Sequence, residues 1–422
     1  MRQYFFILGQ NPALSLAEIQ SRLSLKNIDY RVKAVEPVFL VIETAAVIRP
    51  QAWIKQLGGT IKIGRLGPDK SLNLKACLKI VLNPKPFFDI KKKLYFGFSF
   101  YGTDKKKRQE FSRQIKKLAI DLKKILKKEN IKSRWVVSHE PVLSSVVVKK
   151  NRLLEQGAEI VVLSGEKNYL GWTAAVQPFE ELSFRDYQKP RRDILEGILP
   201  PKLAQIMINL AEVKDGLILD PFCGTGTIIS EAILMGYDDL ICSDLKKSAV
   251  SNARENINWL LEKENLPQLK GQIQYLVSDV KKLNQSFQSK AGRPLAERKE
   301  KIEAIISEPY LGPLLKGGEG IKKIQSIAGE LSDLYLEAFK IFKKILNKSG
   351  RVVIIFPVFQ ADYQNLFLPV LDKIKELGFK QKPLLSKEFS KLDFIRTTER
   401  GTLVYSRPNQ RVQREIIKFI LD

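Results

Sequence analysis

A glycine-rich turn between an apolar run and a helical run constrains the fold of this chain more than any other feature. Asp220 follows the apolar residues 217–219, and Gly224 and Gly226 precede the mostly apolar residues 227–234. This order predicts a strand, a tight turn and a helix. Glycine lets the backbone approach a ligand closely, and the first N–H groups of a helix have no partner within the helix. The sequence therefore predicts a nucleotide pocket at this turn.

Three further apolar runs predict strands with polar residues at their ends. These are 236–244, ending at Asp244; 275–279, ending at Asp279; and 304–306, leading into Ser307-Glu308-Pro309-Tyr310. Strands that alternate with helices favour an α/β domain whose mostly parallel sheet binds its ligand beyond the carboxyl ends of the strands. Acids there suit ribose hydroxyls and an adenine amino group. The third glycine of the dinucleotide fingerprint is absent near Ile229, which disfavours NAD.

Two loops of this region resemble the hallmark loops of the S-adenosylmethionine-dependent amino-methyltransferases, D-P-F-C-G-[ST]-G and D-P-P-Y. Residues 220–226 match the first without departure, whereas residues 307–313 alter the second. Aligned from the strand, Glu308 takes the place of the acid and Pro309 that of the first proline. Aligned from the tail, Pro309 and Tyr310 match and the acid position falls on Ser307. The alignment from the strand needs no gap and is preferred.

Other segments resemble one family, the tRNA guanine-10 N2-methyltransferases. They are residues 185–193, 199–205 and 406–410, while residues 133–138 and 144–151 look like the end of a THUMP RNA-binding domain. The resemblance implies a Rossmann-like α/β methyltransferase domain preceded by an α+β region. The predicted boundaries are 1–65 for a ferredoxin-like domain, 66–178 for THUMP, 179–200 for a linker and 201–422 for the methyltransferase domain.

The same resemblance implies a cofactor, S-adenosyl-L-methionine, and assigns residues to it. The residues predicted to bind it are Pro201, Asp220, Pro221, Phe222, Gly224, Gly226, Thr227, Asp244, Leu245, Asp279 and Val280. Among them, Asp220 is expected near the amino group of the cofactor, Asp244 at the ribose hydroxyls and Asp279 at the adenine amino group. The residues predicted to be catalytic are Ser307, Glu308, Pro309 and Tyr310, with Glu308 accepting the N–H groups of the target amine and Tyr310 stacking on the target base.

Charge points to a polyanionic partner, because 71 Lys and Arg against 46 Asp and Glu give a formal charge of +25. The alternative is that lysine only keeps the surface soluble. The residues predicted to contact RNA are Arg134, Lys149, Lys150, Arg152, Arg185, Arg191 and Arg407. For Arg185 and Arg191, packing between domains is an equal alternative. A basic amphipathic helix predicted from Asp104 to Glu129 suits either RNA contact or a solvated surface.

Composition excludes several other classes. Cys77, Cys223 and Cys242 have no paired spacing and His139 is the only histidine, so a disulfide framework, a zinc or histidine metal site and Ser-His catalysis are not expected. We expect no signal peptide, no membrane span and a soluble protein of the reducing cytoplasm. The predicted partner is tRNA, with neither membrane nor DNA, and a small activating subunit is not deducible.

The predicted function is methyl transfer to N2 of a guanosine in tRNA, with guanosine 10 favoured. Two alternatives stay open: a methyltransferase acting on ribosomal RNA or on an adenine amino group, and an RNA-binding protein that has lost catalysis. Three local predictions accompany it. Ser15 caps a helix, with Glu18 completing a capping box; residues 284–301 form a surface insertion; and residues 363–377 form a helix.

Overall fold

The computed structural model describes residues 1–69, 71–82, 93–192, 198–269, 273–289, 301–315, 317–361, 364–407 and 410–422. They form two compact units. The first comprises Met1–Ser15 and Asn27–Glu181, and the second comprises Leu16–Lys26 and Leu182–Asp422. Most of the predicted insertion at 284–301 lies outside the described residues.

The described part of the first unit is built on an eight-stranded sheet in the order β2-β3-β1-β4-β8-β7-β5-β6. The elements up to residue 176 are β1 Arg2–Leu8, α1 Pro12–Leu25, β2 Arg31–Glu36, β3 Phe39–Thr44, α2 Pro50–Ile54, β4 Thr60–Leu66, α3 Leu74–Val81, β5 Leu94–Tyr101, α4 Lys105–Lys128, β6 Ser133–Val136, α5 Ser145–Lys150, β7 Gly157–Ser164 and β8 Asn168–Val176. Strands β4 and β8 pair antiparallel, so residues on both sides of the predicted 65/66 boundary share this sheet. The domain boundaries themselves stay a prediction.

Helix α4 forms where its sequence pattern predicts it. The Asp104 carboxylate accepts from the backbone N–H groups of Lys106, at 2.8 Å, and Lys107, at 3.1 Å, and so satisfies N–H groups that lack partners within the helix. Phe111 and Leu122 belong to the face that is buried, while the lysines cover the exposed faces. The apolar spacing of three and four residues therefore predicted both the helix and its buried side correctly.

The predicted start of α1 is wrong. The helix begins at Pro12, and the side chain of Asn11 accepts from the N–H of Leu14 at 3.2 Å, so Ser15 lies inside the helix. Glu18 is fully buried and accepts from the side-chain amide of Asn209 at 2.9 Å. A capping-box spacing inside a helix is ambiguous, because a buried carboxylate finds its partner in the tertiary structure.

The second unit carries a nine-stranded sheet within its described residues, in the order β11-β10-β9-β12-β13-β17-β15, with β14 paired to β13 and β16 to β17. From Phe179 onward the elements are α6 Phe179–Tyr187, α7 Pro201–Ala211, β9 Ile218–Asp220, α8 Thr227–Leu234, β10 Leu240–Asp244, α9 Lys247–Lys263, β11 Gln274–Val277, α10 Leu283–Ser289, β12 Ile302–Ser307, α11 Ile321–Ile345, β13 Leu346–Ala361, β14 Gln364–Phe367, α12 Leu371–Glu376, β15 Phe379–Lys382, α13 Lys387–Ser390, β16 Leu403–Tyr405 and β17 Val412–Leu421. Strands β9 to β13 run parallel and the later strands pair antiparallel.

An aromatic cluster fixes α11 against this sheet. The ring of Tyr335 lies 4.7 Å from that of Phe356, and the ring of Phe339 lies 4.9 Å from Phe379 and 5.1 Å from Phe419. All five side chains are fully buried or nearly so. This packing holds β13, β15 and β17 in place on one side of β12, whose carboxyl end leads into the altered loop.

One prediction for this unit is corrected, and one strand was missed. Residues 364–367 form strand β14 rather than the start of a helix, because they pair antiparallel with the end of β13, and the helix is confined to Leu371–Glu376. Residue 363 lies outside the described residues. Strand β17 was not predicted, although it is ten residues long and pairs with β13, β15 and β16.

Candidate active site

A cleft of about 660 Å³ lies in the second unit at the carboxyl ends of β9, β10 and β12. The parallel register sets the ends of these strands side by side, because Cys242 pairs with Asp220 and Ile305 with Leu219. Most residues predicted for the cofactor or for catalysis line the cleft: Asp220, Pro221, Phe222, Gly224, Thr227, Asp244, Leu245, Asp279, Val280, Glu308, Pro309 and Tyr310. The topology thus brings together side chains that are far apart in sequence.

The two glycines of the turn have different roles. Both have positive φ, 49° at Gly224 and 79° at Gly226. A Cβ on Gly226 would lie 3.0 Å from the Cβ of Ala253, so the packing of α8 on α9 requires a glycine there. A Cβ on Gly224 would have no neighbour within 4 Å, and Gly224 lines the cleft. The open side of Gly224 therefore leaves room for a ligand to approach the backbone.

Asp220 is a buried carboxylate whose hydrogen bonds are on one oxygen. Its Oδ1 accepts from the hydroxyl of Ser307 at 2.6 Å and from the backbone N–H of Phe222 at 3.2 Å. Burial raises the pKa of Asp220 to about 7, and the nearby charges of Asp244 and Glu308 act in the same direction. Ser307, which does not line the cleft, therefore supports Asp220.

The other two acids at the strand ends are fixed by the backbone. Asp244 accepts from the N–H of Gly224 through Oδ2 and from the N–H of Lys246 through Oδ1, each at 3.0 Å. Asp279 accepts from the N–H of Lys281 at 3.0 Å. Because each carboxylate oxygen has two lone pairs, both acids keep acceptor capacity, and both residues line the cleft.

Glu308 has a partner that sequence reasoning missed. The Nε–H of Arg414, on β17, donates to Glu308 Oε1 at 2.5 Å. The side chain of Arg414 is 9% exposed and that of Glu308 is 14% exposed. No local pattern joins two residues 106 positions apart, and without a predicted β17 there was no reason to place Arg414 near the cleft.

Lys189 is a second residue of the site that was not predicted to belong to it. Its Nζ donates to the hydroxyl of Thr225 at 3.0 Å and to that of Thr227 at 3.1 Å, so it ties the chain before α7 to the glycine turn. Burial lowers the pKa of Lys189 to about 8. Pro201, the first residue of α7, lies beside Lys189 and both threonines around a small adjoining cavity rather than in the main cleft.

The predicted RNA contacts of the first unit are at its surface. Arg134 on β6, Lys150 at the end of α5 and Arg152 are exposed. Lys149 is partly exposed and its Nζ lies 2.8 Å from a carboxylate oxygen of Glu180. These positions leave the side chains accessible to a polyanion, and their role in binding stays a prediction.

In the second unit one predicted RNA contact is corrected. Arg185 is buried, and its Nε–H and an Nη–H donate to the two carboxylate oxygens of Glu231 at 2.6 and 3.0 Å. A bidentate buried pair of this kind holds α6 against α8, so packing within the unit explains Arg185. Arg191 is exposed and pairs with Glu255 at 2.7 Å, and Arg407 is exposed.

Comparison with known proteins identifies the class. Residues 188–361, which contain every strand end of the cleft, match the family model of the RMKL-like methyltransferase domain. The second unit therefore carries a methyltransferase domain, for which S-adenosylmethionine is the cofactor. Residues 91–255 also match a family model described as a DNA methylase.

Three curated relatives are tRNA guanine-10 N2-methyltransferases by name. The chain is 31% identical over 176 residues to the tRNA (guanine(10)-N2)-dimethyltransferase of Methanocaldococcus jannaschii, a match that covers 39% of this chain and 45% of the relative. The enzyme of the same name from Pyrococcus abyssi is 27% identical over 222 residues, covering 52% and 55%. The tRNA (guanine(10)-N(2))-methyltransferase TRMT11 of Rattus norvegicus is 27% identical over 209 residues, covering 43% and 42%. The chain thus matches about half the length of these relatives.

The fold is like that of a solved structure over both full lengths. The crystal structure of TrmN from Thermus thermophilus matches with a TM-score of 0.53 and 16% identity, covering 100% of each chain. This likeness concerns the fold and confirms the α/β prediction. Within the described residues, no helix is long and apolar enough to cross a membrane.

Proposed function

We propose that this chain transfers a methyl group from S-adenosylmethionine to the exocyclic N2 of a guanosine in tRNA, with guanosine 10 as the first position to test. One observation carries the proposal: Gly224, whose Cβ position is open, and Glu308 line the same cleft. A methyl donor seated at the glycine turn and an amine held by Glu308 would therefore meet. The names of the curated relatives support tRNA and N2 of guanine as the substrate.

When bound, S-adenosylmethionine would supply a methyl group on a sulfonium. Transfer would break the carbon–sulfur bond with both electrons kept by sulfur, form a carbon–nitrogen bond, and release one amine proton to solvent. The protein has to align the amine, whose lone pair is delocalised into the guanine ring. Alignment of this kind contributes up to about 7–11 kcal/mol in favourable cases. Glu308 accepts the N–H groups of the amine, and Pro309 fixes φ and so directs the preceding carbonyl. Tyr310, 53% exposed, stacks on the base.

The acids that line the cleft suit the rest of the cofactor. Asp244 binds the ribose hydroxyls and Asp279 the adenine amino group, since both are held at strand ends, keep acceptor capacity and line the cleft. Asp220 supplies negative charge for the cationic groups of the cofactor. Leu245, 67% exposed, gives an apolar surface at the rim.

The first unit supplies the surface for RNA, and we propose that it is the THUMP-containing region expected from the sequence. Apart from Arg134 and its neighbours, a groove of about 1060 Å³ lies in this unit. Its lining includes the basic residues Arg2, Lys33, Arg65 and Lys167 and the partly exposed aromatic residues Tyr169 and Trp172. Basic side chains neutralise phosphates and aromatic rings stack on bases. The proposal also includes that the protein acts on tRNA in the cytoplasm.

Nucleoside analysis tests the proposal directly. The protein is incubated with labelled cofactor and either undermodified tRNA, ribosomal RNA or duplex DNA, and the products are digested to nucleosides. We expect label in N2-methylguanosine from tRNA. Label in an adenine, from any substrate, would favour the adenine alternative. RNA binding without label in any nucleoside would indicate a binding protein that has lost catalysis.

Glu308→Gln separates chemistry from cofactor binding. The amide keeps one acceptor oxygen but loses the charge that draws the amine N–H groups, so we expect turnover to fall by about 10²-fold or more. The dissociation constant of the cofactor, measured by calorimetry, stays within about twofold, because the predicted cofactor contacts lie elsewhere. Glu337→Gln is the matched control, since Glu337 is an exposed residue of α11 paired with Lys340 outside the cleft. Unchanged turnover in Glu308→Gln would contradict the role of Glu308.

A further inference from the structure

The ion pair between Arg414 and Glu308 joins the altered loop to a distant strand. Arg414 lies on β17 opposite Pro357 of β13, and β13 runs beside β12, which ends at Ser307. From there Arg414 reaches Glu308, the residue after the strand, through its Nε–H. Arg414 itself does not line the cleft, whereas Glu308 does. The arginine therefore acts on the cleft only through the glutamate.

The pair divides the two oxygens of the Glu308 carboxylate between two tasks. Oε1 accepts from Arg414, which leaves Oε2 for a ligand in the cleft. An arginine that faced the carboxylate with two parallel N–H groups would occupy both oxygens. The single contact at Nε–H orients Glu308 and leaves its carboxylate able to accept one more hydrogen bond.

The need for such a contact follows from the residue type in the loop. Glutamate extends about 1.5 Å farther than aspartate and has one more rotatable bond, so an unrestrained carboxylate samples more positions. A misplacement of about 1 Å can cost about 10²-fold in rate. Arg414, buried and held on a strand in the centre of an antiparallel set, removes that freedom.

We propose that Arg414 is the positioning residue for methyl transfer in this chain, holding Glu308 Oε1 so that Oε2 is presented to the amino group of the target base. The inference rests on the proposed function and deepens it. It assigns the residue that orients Glu308, a glutamate at the position where the resembled D-P-P-Y loop has an aspartate. It also gives β17 a function beyond completing the sheet.

A double-mutant cycle tests the inference. Arg414→Met keeps the length and apolar part of the side chain and removes the donor. We expect kcat to fall about 10- to 100-fold, with the KM for RNA and the Kd of the cofactor within about twofold. In the Glu308→Gln background, Arg414→Met should lower kcat by less than about twofold more, because the group that it positions is already disabled. The kcat of Arg414→Lys should lie between those of wild type and Arg414→Met, since lysine keeps the charge but not the direction of the Nε–H donor.

Lys418→Met is the matched control. Lys418 lies four residues along the same strand, is similarly buried and pairs with Glu212 at 2.9 Å, and neither residue lines the cleft. Its removal tests the cost of losing a buried cation from β17, and we expect kcat to stay within about twofold. All variants are assayed below their unfolding transitions, and urea midpoints are measured for the four proteins of the cycle. Coupling of the two substitutions in these midpoints tests the ion pair even where activity is low.

The outcomes separate this inference from the proposed function. Label in a nucleoside other than N2-methylguanosine refutes the assigned substrate, and the cycle is then run on the nucleoside that is labelled. Effects of Arg414→Met and Glu308→Gln that multiply, or an equal loss of kcat in Lys418→Met, overturn the inference while leaving the substrate intact. Absence of label from every nucleoside in the wild-type protein refutes both.

Discussion

Replacing Asp220 by asparagine tests the charge of the cleft. Asp220 is 2% exposed, and both of its hydrogen bonds, from Ser307 and from the N–H of Phe222, end on Oδ1. Asparagine can place its carbonyl oxygen in the position of Oδ1 and accept both. The substitution therefore removes the ionisable group and keeps the local hydrogen bonds.

The magnitude follows from the pKa. Burial raises the pKa of Asp220 from its ordinary 3.8 to about 7. Between these values the folded protein holds a proton that the unfolded chain has released, so the free energy of unfolding falls as pH rises from about 4 to about 7, by about 4 kcal/mol in all. The Asp220→Asn variant has no ionisable group at this position, so its free energy of unfolding does not fall in this way. A new amide N–H group without an acceptor costs about 1–3 kcal/mol, so we expect the variant to be more stable than wild type by about 1–3 kcal/mol at pH 8.

The assay is urea unfolding at several pH values from 4.5 to 8, followed by a signal from the second unit, together with calorimetric titration of the cofactor. We expect stability curves that diverge as pH rises and a cofactor affinity that increases from pH 6 to pH 8 in wild type only, because Asp220 must ionise to meet a cation. The variant should bind more weakly at pH 8. Asp238→Asn, at an exposed position of the same unit, is the control. Parallel stability curves for Asp220→Asn and wild type would refute the reasoning.

Three further predictions concern the glycine turn and the lysine that contacts it. Burial lowers the pKa of Lys189 from 10.5 to about 8, so the free energy of unfolding rises by about 3 kcal/mol as pH increases from about 8 to 10.5. Lys189→Met should remove this rise in urea titrations and weaken cofactor binding. A rise that persists in the variant would contradict the burial of the charge. Gly226→Ala should destabilise the fold by about 1–3 kcal/mol, because its Cβ would press on Ala253 at positive φ, with thermal unfolding as the measurement. In Gly224→Ala the new Cβ meets no neighbour, so the variant should lose only about 1–2 kcal/mol of stability through its positive φ, yet it should weaken cofactor binding more than Gly226→Ala does. Equal cofactor affinities in the two variants would count against the open side of Gly224 as the binding surface.

The sequence was sufficient for the part of the site that is encoded locally. An apolar run, an acid and two glycines specify a strand, a turn and a helix without help from the rest of the chain, and the structure has β9, Gly224, Gly226 and α8 in that order. Parallel strands then bring their carboxyl ends to one edge, which is why Asp244 and Glu308 could be placed in the same cleft from their positions after apolar runs.

The contacts that orient these residues were not predictable, because they join segments that no short pattern connects. Arg414 reaches Glu308 from β17, and that strand was missed although residues 412–421 contain an apolar stretch. Arg185 stood in a basic and aromatic segment that suits RNA, and only the tertiary structure shows Glu231 opposite it. For a basic side chain, composition gives the charge, while burial decides whether that charge faces a partner outside the chain.

The hydrogen bonds of the turn also explain which ligand it suits. In a phosphate-binding turn the backbone N–H groups point at the ligand, but here the N–H of Gly224 donates to Asp244 and the N–H of Gly226 donates to the carbonyl of Cys223. Burial is the main cause of the raised pKa of Asp220, and the charges of Asp244 and Glu308 act in the same direction, so these two carboxylates repel that of Asp220. A ligand with cationic groups relieves that repulsion, whereas a pyrophosphate increases it. The arrangement thus favours a sulfonium nucleoside over a dinucleotide for a reason independent of the missing third glycine.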